Sequence, residues 1–532
     1  IKRKMVCVYR PRVRNTAKMK RHRLTLGPDG PSGDFPEGTP LVDALSDMGV
    51  LLRTPCGGKG VCGKCCVLIE NGAPARTASD ERFFPERPLQ FLACRVSIRG
   101  DMTVRVPKPV SPARPGRPAP PIPNDPAIAI DIGTTTVQMS VVDRSTGAAY
   151  PLGSFLNPQR RHGHDIISRI AASSDPATHS SLVRVIQGSI GSAVRTAFEA
   201  AGADFARAGL AVVSGNTAMT HLYFDLDVKD LGVFPYAVRE LDYEGLNKPG
   251  GLPASTRVAA LPSASAFLGG DLVGGLALSE DSGIRRNAFF IDIGTNGEMF
   301  LRNRIGGAYA TSCAMGPALE GMNISSGMTA DEGAINHLRV LDGGLVPEVI
   351  GGAEAVGICG TGIVDALAIM LREGVVRPGG AFDRAAVDAS RLFAGRLETS
   401  NGILSCRLAD GVFLNQKDIR NIQLAKAASL AAATLLLREA SCRTEEIEHV
   451  FIAGAFGENL DIDNFRSLGF IPHFPNAEYR FMGNTSLRAA ELACADRGFI
   501  ARCRALRDRL KIMELSSRPD FNDLFIECLE FA

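Results

Sequence analysis

The chain has 532 residues, with 59 basic and 57 acidic side chains, a formal net charge of +2, 45% hydrophobic residues, 56 glycines and 13 cysteines. A near-neutral balance argues against a bulk polyanion partner such as nucleic acid, and no run of 18 apolar residues is present to form a membrane span. The length asks for several domains at about 150 residues each; the odd cysteine count reads as free thiols, and the basic start lacks an apolar segment behind it, so a cytoplasmic protein is expected.

Residues 1–23 hold ten Lys or Arg and no acid, so residues 1–21 are expected to be a disordered basic arm. From 22 to 106 the pattern is small and mixed, of α+β type. A strand is expected at His22–Leu26, followed by a turn at Gly27–Gly30. The segment Thr39–Met48 reads as a helix with Leu41, Leu45 and Met48 on one face, Thr39 as N-cap and Pro40 at the first helical position. Further strands are expected at Cys66–Glu70 and Thr103–Val106.

Between helix and strand lies the densest chemical signal of the first hundred residues. Cys56, Cys62 and Cys65 are spaced C-x5-C-x2-C, and Cys94 follows after 28 more residues. Four thiolates of this kind suit a [2Fe–2S] cluster. Gly57, Gly58, Gly60 and Gly63 let the backbone wrap closely and aim N–H groups at the sulfurs. A zinc ribbon is the alternative, but it pairs two CxxC knuckles, and Cys94 has no cysteine two or three residues away. Cys66, adjacent to Cys65, is not expected to be a ligand. The cysteines and the element order together resemble the β-grasp ferredoxins, with the spacing of the adrenodoxin-type variant.

Residues 107–126 carry nine prolines and read as a polyproline linker. At ~3.1 Å per residue it would reach about 60 Å. It is either a passive spacer or a tether that lets the cluster visit a donor and an acceptor.

Past 127 the pattern becomes α/β. Ala127–Asp131 is an apolar strand ending in Asp131-Ile-Gly133-Thr134-Thr135, and Val137–Asp143 continues as a second strand. The same design returns 161 residues later, as Asp292-Ile-Gly294-Thr295-Asn296 between two strands. A third strand, His449–Ala453, runs into Gly454-Ala-Phe-Gly457. Two such hairpins a domain apart suggest a duplicated fold with a nucleotide between the halves, expected here as 127–208 and 209–532. Gly360-Thr361-Gly362 opens a helix, and a helix N-terminus is a natural phosphate site. Asp271 and Glu320 are candidates to orient an attacking water, or else ordinary helix-end carboxylates. The helix expected over Leu424–Ala440 is Ala/Leu-rich and reads as core.

These three motifs resemble the phosphate-1, phosphate-2 and adenosine motifs of the actin, Hsp70 and acetate or sugar kinase (ASKHA) superfamily. The resemblance implies that Asp131, Gly133, Thr134 and Thr135 form one jaw around ATP, and that Asp292, Gly294, Thr295 and Asn296 form the other. It implies that both Asp side chains hold Mg²⁺ through waters, and that Gly454 and Gly457 lie under the adenosine.

The whole chain after residue 20 resembles the reductive activators of corrinoid-dependent proteins, which join a ferredoxin domain through a linker to ASKHA-like halves. That resemblance implies ATP-dependent return of a Co(II) corrinoid to Co(I) by one-electron transfer, in a methyltransferase or O-demethylase system. The partners it implies are a corrinoid protein and a low-potential donor such as a ferredoxin or flavodoxin, and homodimerisation is implied by the family alone. Three other readings stay open: an activator of a radical acyl-CoA dehydratase or reductase, a redox-sensing ASKHA-type kinase, and a nucleotide-gated scaffold without turnover. Cys494, Cys503 and Cys528 lack dense spacing, so one cluster is expected.

Overall fold

The computed structural model describes residues 20–28, 30–48, 50, 52, 58, 60, 61, 63–106, 120–163, 165–281, 287–294, 296–315, 317–321, 323–400, 402–454 and 456–531. The basic arm, up to residue 19, and the linker, up to residue 119, lie outside the described residues. The chain falls into a small unit and a large one.

The small unit is a five-stranded sheet of order β2-β1-β5-β3-β4. Its strands are β1 (Arg21–Leu26), β2 (Ser32–Pro36), β3 (Cys66–Asn71), β4 (Gln90–Leu92) and β5 (Met102–Arg105). The parallel pairing of β1 with β5 closes the β-grasp. Helix α1 (Leu41–Asp47) forms where expected and fully buries Leu41, Ala44 and Leu45. Thr39 does not cap it: its hydroxyl donates to the Pro36 carbonyl at 2.7 Å. Besides β2, two elements had no sequence expectation. One is α2 (Ala78–Phe83), held by a capping box between Thr77 and Asp80. The other is β4, tied to α2 because the buried Asp80 accepts from Leu92 N at 2.8 Å.

The large unit carries the duplication. Its first sheet has the order β10-β9-β6-β7-β8, from β6 (Pro126–Ile132), β7 (Thr136–Asp143), β8 (Ala149–Leu156), β9 (Leu210–Gly215) and β10 (Arg257–Ala260). The second has the order β21-β20-β11-β12-β13-β22. It contains β11 (Ala288–Ile293), β12 (Gly297–Arg302), β13 (Ala308–Cys313), β20 (His449–Ala453), β21 (Glu478–Gly483) and β22 (Leu510–Ile512). In each, a three-stranded antiparallel meander is extended by two parallel strands, so the halves share one topology. Two three-stranded sheets are inserted in the second half. They are β14 (Ala334–Leu341), β15 (Gly344–Val349) and β16 (Gly357–Ile358), then β17 (Leu397–Ser400), β18 (Ile403–Ala409) and β19 (Val412–Asn415).

The division expected between 208 and 209 is corrected by this topology. Leu210–Gly215 pairs in parallel with β6, so it belongs to the first sheet. A crossover of this kind is not visible in local sequence.

Each half has its own apolar core, and a third lies between them. In the first half, α3 (Ile166–Ala172), α4 (Pro176–Ala200) and α5 (Thr217–Tyr223) contribute to the core. In the second, α7 (Gly360–Arg372), α8 (Arg384–Ala389), α9 (Gln416–Glu439) and α10 (Ile462–Ser467) do so. The expected core helix is thus α9, which begins eight residues earlier than its Ala/Leu stretch. The shared core is built by α6 (Gly270–Asp281) and α11 (Thr485–Ala495), with apolar residues from both sheets. Gly274 permits the close approach: a Cβ there would lie 2.6 Å from both Ala489 Cβ and Leu261 Cδ1. No helix among the described residues is long and apolar enough to cross a membrane.

Candidate functional site

All seven residues of β6 are buried, and the strand delivers Asp131 near its end. Ile132 pairs with Val137, which leaves a four-residue turn. β11 delivers Asp292 in the same way, but Ile293 pairs with Gly297, so its turn is one residue shorter. Both turns open onto one cavity of about 370 Å³. Asp131, Gly133, Thr134, Thr135, Asp271, Asp292, Gly294, Asn296, Glu320, Gly360, Thr361 and Gly454 all line it. Thr295 lies outside the described residues.

Two expected residues do not line it. A Cβ on Gly362 would meet the Ile335 carbonyl oxygen at 2.4 Å, so this glycine lets α7 lie against β14. Gly457 packs beside Ile452, and the wall there is made by Phe456 and Asn459 instead. Gly454 is required by geometry: its φ is +94°, and a Cβ would lie 2.7 Å from Ile293 O and 2.8 Å from Asp292 Oδ1.

The electrostatics separate the carboxylates. Asp131 accepts from Asn484 Nδ2 at 2.8 Å and from Ser486 Oγ at 2.7 Å. Burial raises its pKa and those two bonds oppose the rise. Asp292 has no side-chain donor among the described residues. Burial, then Asp271, then Asp131 push it up to about 7. Burial also raises Asp271 and Glu298, with neighbouring carboxylates adding to the rise. Asp271 and Asp292 touch the cavity and are only half-buried by surface, yet protein encloses them on every other side. Glu320 accepts from Thr135 Oγ1 at 2.5 Å and so links the second half to the first turn.

Several lining residues had no site role assigned from the sequence. Asn484 and Ser486 come from the start of α11, more than 350 positions after Asp131. Glu298 pairs across the hairpin with Asp292. Asn216 caps α5 through its side-chain oxygen, while its buried Nδ2 has no partner among the described residues. Met328, Ile350, Leu319 and Phe456 supply apolar surface. The N-terminus of α7 reaches the wall at Gly360 and Thr361 with no side-chain cap, although the Thr361 hydroxyl is spent on Asn336 O at 2.6 Å.

This donor set suits a nucleotide polyphosphate: backbone turns, a helix N-terminus and hydroxyls for the anion, with apolar side chains for a base. Among the described residues no three His, Cys, Asp or Glu side chains converge to ligate a metal directly. Carboxylates set back from the anion suit Mg²⁺ that keeps its waters.

The cysteine site is described in part. Cys56 and Cys62 lie outside the described residues. Cys65 immediately precedes β3 and Cys94 follows β4, and the pairing of Cys66 with Leu92 brings both to one end of the sheet. Ala93 N donates to Cys65 O at 2.9 Å. Gly58, Gly60 and Gly63 have φ of +84°, +76° and +69°, so the loop turns where only glycine does so without strain. Cys65 and Cys94 so placed fit two of the four expected cluster ligands.

The domains match known families in the same order. Residues 27–99 match the 2Fe-2S iron-sulfur cluster binding domain, residues 126–281 the RACo middle region, and residues 286–532 the C-terminal (ASKHA) domain of RACo. The corrinoid activation enzyme RamQ of Eubacterium limosum is 30% identical over 413 residues, 75% of this chain and 69% of that protein. The [Co(II) methylated amine-specific corrinoid protein] reductase of Methanosarcina barkeri is 33% identical over 222 residues, 37% of each chain. A solved structure, the reductive activator for corrinoid, iron-sulfur protein, superposes with a TM-score of 0.68 at 25% identity, covering 96% of this chain and 98% of its own. With the domain order, the duplicated fold and these relatives in agreement, the chain belongs to the RACo family of corrinoid reductive activators.

Proposed function

We propose that this chain binds Mg²⁺-ATP in the cavity between its two hairpins and uses it to drive one-electron reduction of a corrinoid protein from Co(II) to Co(I), in a methyltransferase or O-demethylase system. One observation carries the reading: two Asp-terminated hairpins of a duplicated fold close on a single cavity, in a chain that also holds a 2Fe-2S domain.

The amides of the Gly133–Thr135 turn, the Asn296 end of the second turn, and Gly360 and Thr361 at the start of α7 bind the phosphates. Asp131 and Asp292 would hold Mg²⁺ through its waters, and the bound ion would neutralise phosphate charge. Asp131 is fixed for this by Asn484 and Ser486. Asp271 and Glu320 face the same space and orient the water that attacks the terminal phosphorus. Gly454 lies against the adenosine, with Phe456 and Ile350 as apolar contacts.

Cys56, Cys62, Cys65 and Cys94 hold the [2Fe–2S] cluster, which supplies a one-electron centre near about −400 mV. Reduction of an acceptor more negative than its donor falls about tenfold for each ~59 mV. ATP binding shifts that balance only by favouring a different conformation of the pair. The electron source is a low-potential ferredoxin or flavodoxin. Free thiols and low-potential chemistry suit the cytoplasm. A homodimer belongs to the proposal, and its mass in solution tests it.

The test is anaerobic incubation of the full chain with a Co(II) corrinoid protein and a low-potential reductant, with and without Mg²⁺-ATP. Co(I) absorbance that appears only with ATP is expected. Co(I) formed equally without nucleotide would overturn the coupling.

A further inference from the structure

The back of the first turn is held by two side chains that do not line the cavity. Asn157 and Arg169 are both 0% exposed. Asn157 Nδ2 donates to Gly133 O at 2.8 Å, and Asn157 N donates to Thr135 O at 2.8 Å. Between them, Arg169 Nη2 donates to Thr134 O at 2.5 Å. Three successive carbonyls are thus tied to the protein behind the turn. In a trans peptide the following N–H points opposite to the carbonyl. The amides of Thr134, Thr135 and Thr136 are thereby turned to the other side, where the same residues line the cavity. Successive amides aimed into one concavity make an anion nest.

Arg169 is unusual in its company. Its other donors go to Gly163 O at 2.9 Å and Met219 Sδ at 3.0 Å. No carboxylate among the described residues bonds it. Burial first, and then the nearby Arg160, lower its pKa to about 9, while Asp165 and Glu320 act the other way at longer range. A buried guanidinium held by neutral acceptors is costly unless a charge of opposite sign comes near.

We propose that Asn157 and Arg169 are positioning residues for the polyphosphate: they orient the amides of the first turn toward the cavity, and Arg169 supplies, from behind that turn, the positive charge the bound phosphates meet. The proposal rests on the ATP reading above. It assigns to the first half a cation that acts through the peptide backbone and not by contact.

The test uses the full chain and measures affinity for Mg²⁺-ATP and for adenosine, which has no phosphate, beside the melting temperature. Arg169→Gln is expected to weaken ATP by about 10- to 100-fold, the range of a charge-assisted hydrogen bond, and to leave adenosine within about twofold. Arg169→Lys keeps the charge without the planar fork and is expected to fall between. Asn157→Ser, which keeps an oxygen as acceptor for Gln159 N and removes the Nδ2 donor to Gly133 O without adding charge, covers the case in which the arginine variants fail to fold; it too should weaken ATP and spare adenosine. Parallel losses for ATP and adenosine, or unchanged ATP affinity in Arg169→Gln, would overturn the proposal. A wild-type chain that binds adenosine and ATP equally would instead overturn the ATP reading itself.

Discussion

The two hairpins share a motif and a topology, yet their aspartates live differently. Asp131 is bound by Asn484 and Ser486, and Ser486 is in turn bonded to Ser214 at 2.8 Å. Asp292 faces the cavity without a side-chain donor among the described residues and is held up at about 7 by burial, Asp271 and Asp131. The first turn is braced from behind by Asn157 and Arg169. The second is one residue shorter and closes on itself, with Gly294 N donating to Asn296 O at 3.0 Å. Duplication therefore yields one jaw whose aspartate is held by distant side chains and one whose aspartate has no such donor among the described residues; under the proposed function a cation completes the second.

The largest expected effect breaks that comparison most directly. Asp292→Asn and Asp131→Asn should each lower ATP turnover by at least about 100-fold, the scale of losing a group that stabilises transition-state charge. Only Asp131→Asn should also lower the melting temperature, because it disturbs two buried donors. Equal melting temperatures in the two variants would erase the distinction between the jaws.

Proton linkage gives the next effect. An Asp whose folded pKa is raised above the ordinary carboxylate value contributes stability that is full below that ordinary value and is lost as pH rises through the folded pKa. The nucleotide-free protein should thus melt at a lower temperature at pH 8 than at pH 5, with the loss running from the ordinary value of 3.8 up to about 7 and complete above it. Asp292→Asn should reduce that slope without abolishing it, because Asp271 and Glu298 are raised as well, and Mg²⁺-ATP should offset it. A slope unchanged in the variant would move the titration to another group. Asn484→Ala should cost about 1–3 kcal/mol, the penalty of leaving a buried acceptor short of a donor, read as a lower denaturation midpoint. The smallest effect belongs to Gly457→Ala: its nearest neighbour is Ile452 Cγ2 at 3.2 Å and it does not line the cavity, so ATP affinity should change by less than about twofold. A tenfold change would return Gly457 to the site.

Much of this was legible in the chain because the signals are local. An apolar strand that ends in Asp-Ile-Gly-Thr fixes strand, turn and carboxylate together, and both hairpins formed where expected. What supports them was not legible. Asn484, Ser486, Asn157 and Arg169 reach the first hairpin from distant segments, and nothing in their own neighbourhoods marks them. Gly362 and Gly457 stand in glycine-rich motifs, but a glycine that admits a packed helix reads the same as one that admits a phosphate. β4 has three residues and α2 six, too short for periodicity to declare them.

The account rests on the claim that nucleotide held by the second jaw drives delivery of an electron the cluster already carries. It is tested most directly by Asp292→Asn, reduced anaerobically, mixed with a Co(II) corrinoid protein and Mg²⁺-ATP, and followed by EPR for the reduced cluster and by absorbance for Co(I). A fully reduced cluster with no Co(I) is the result predicted here; Co(I) forming at the wild-type rate would contradict it.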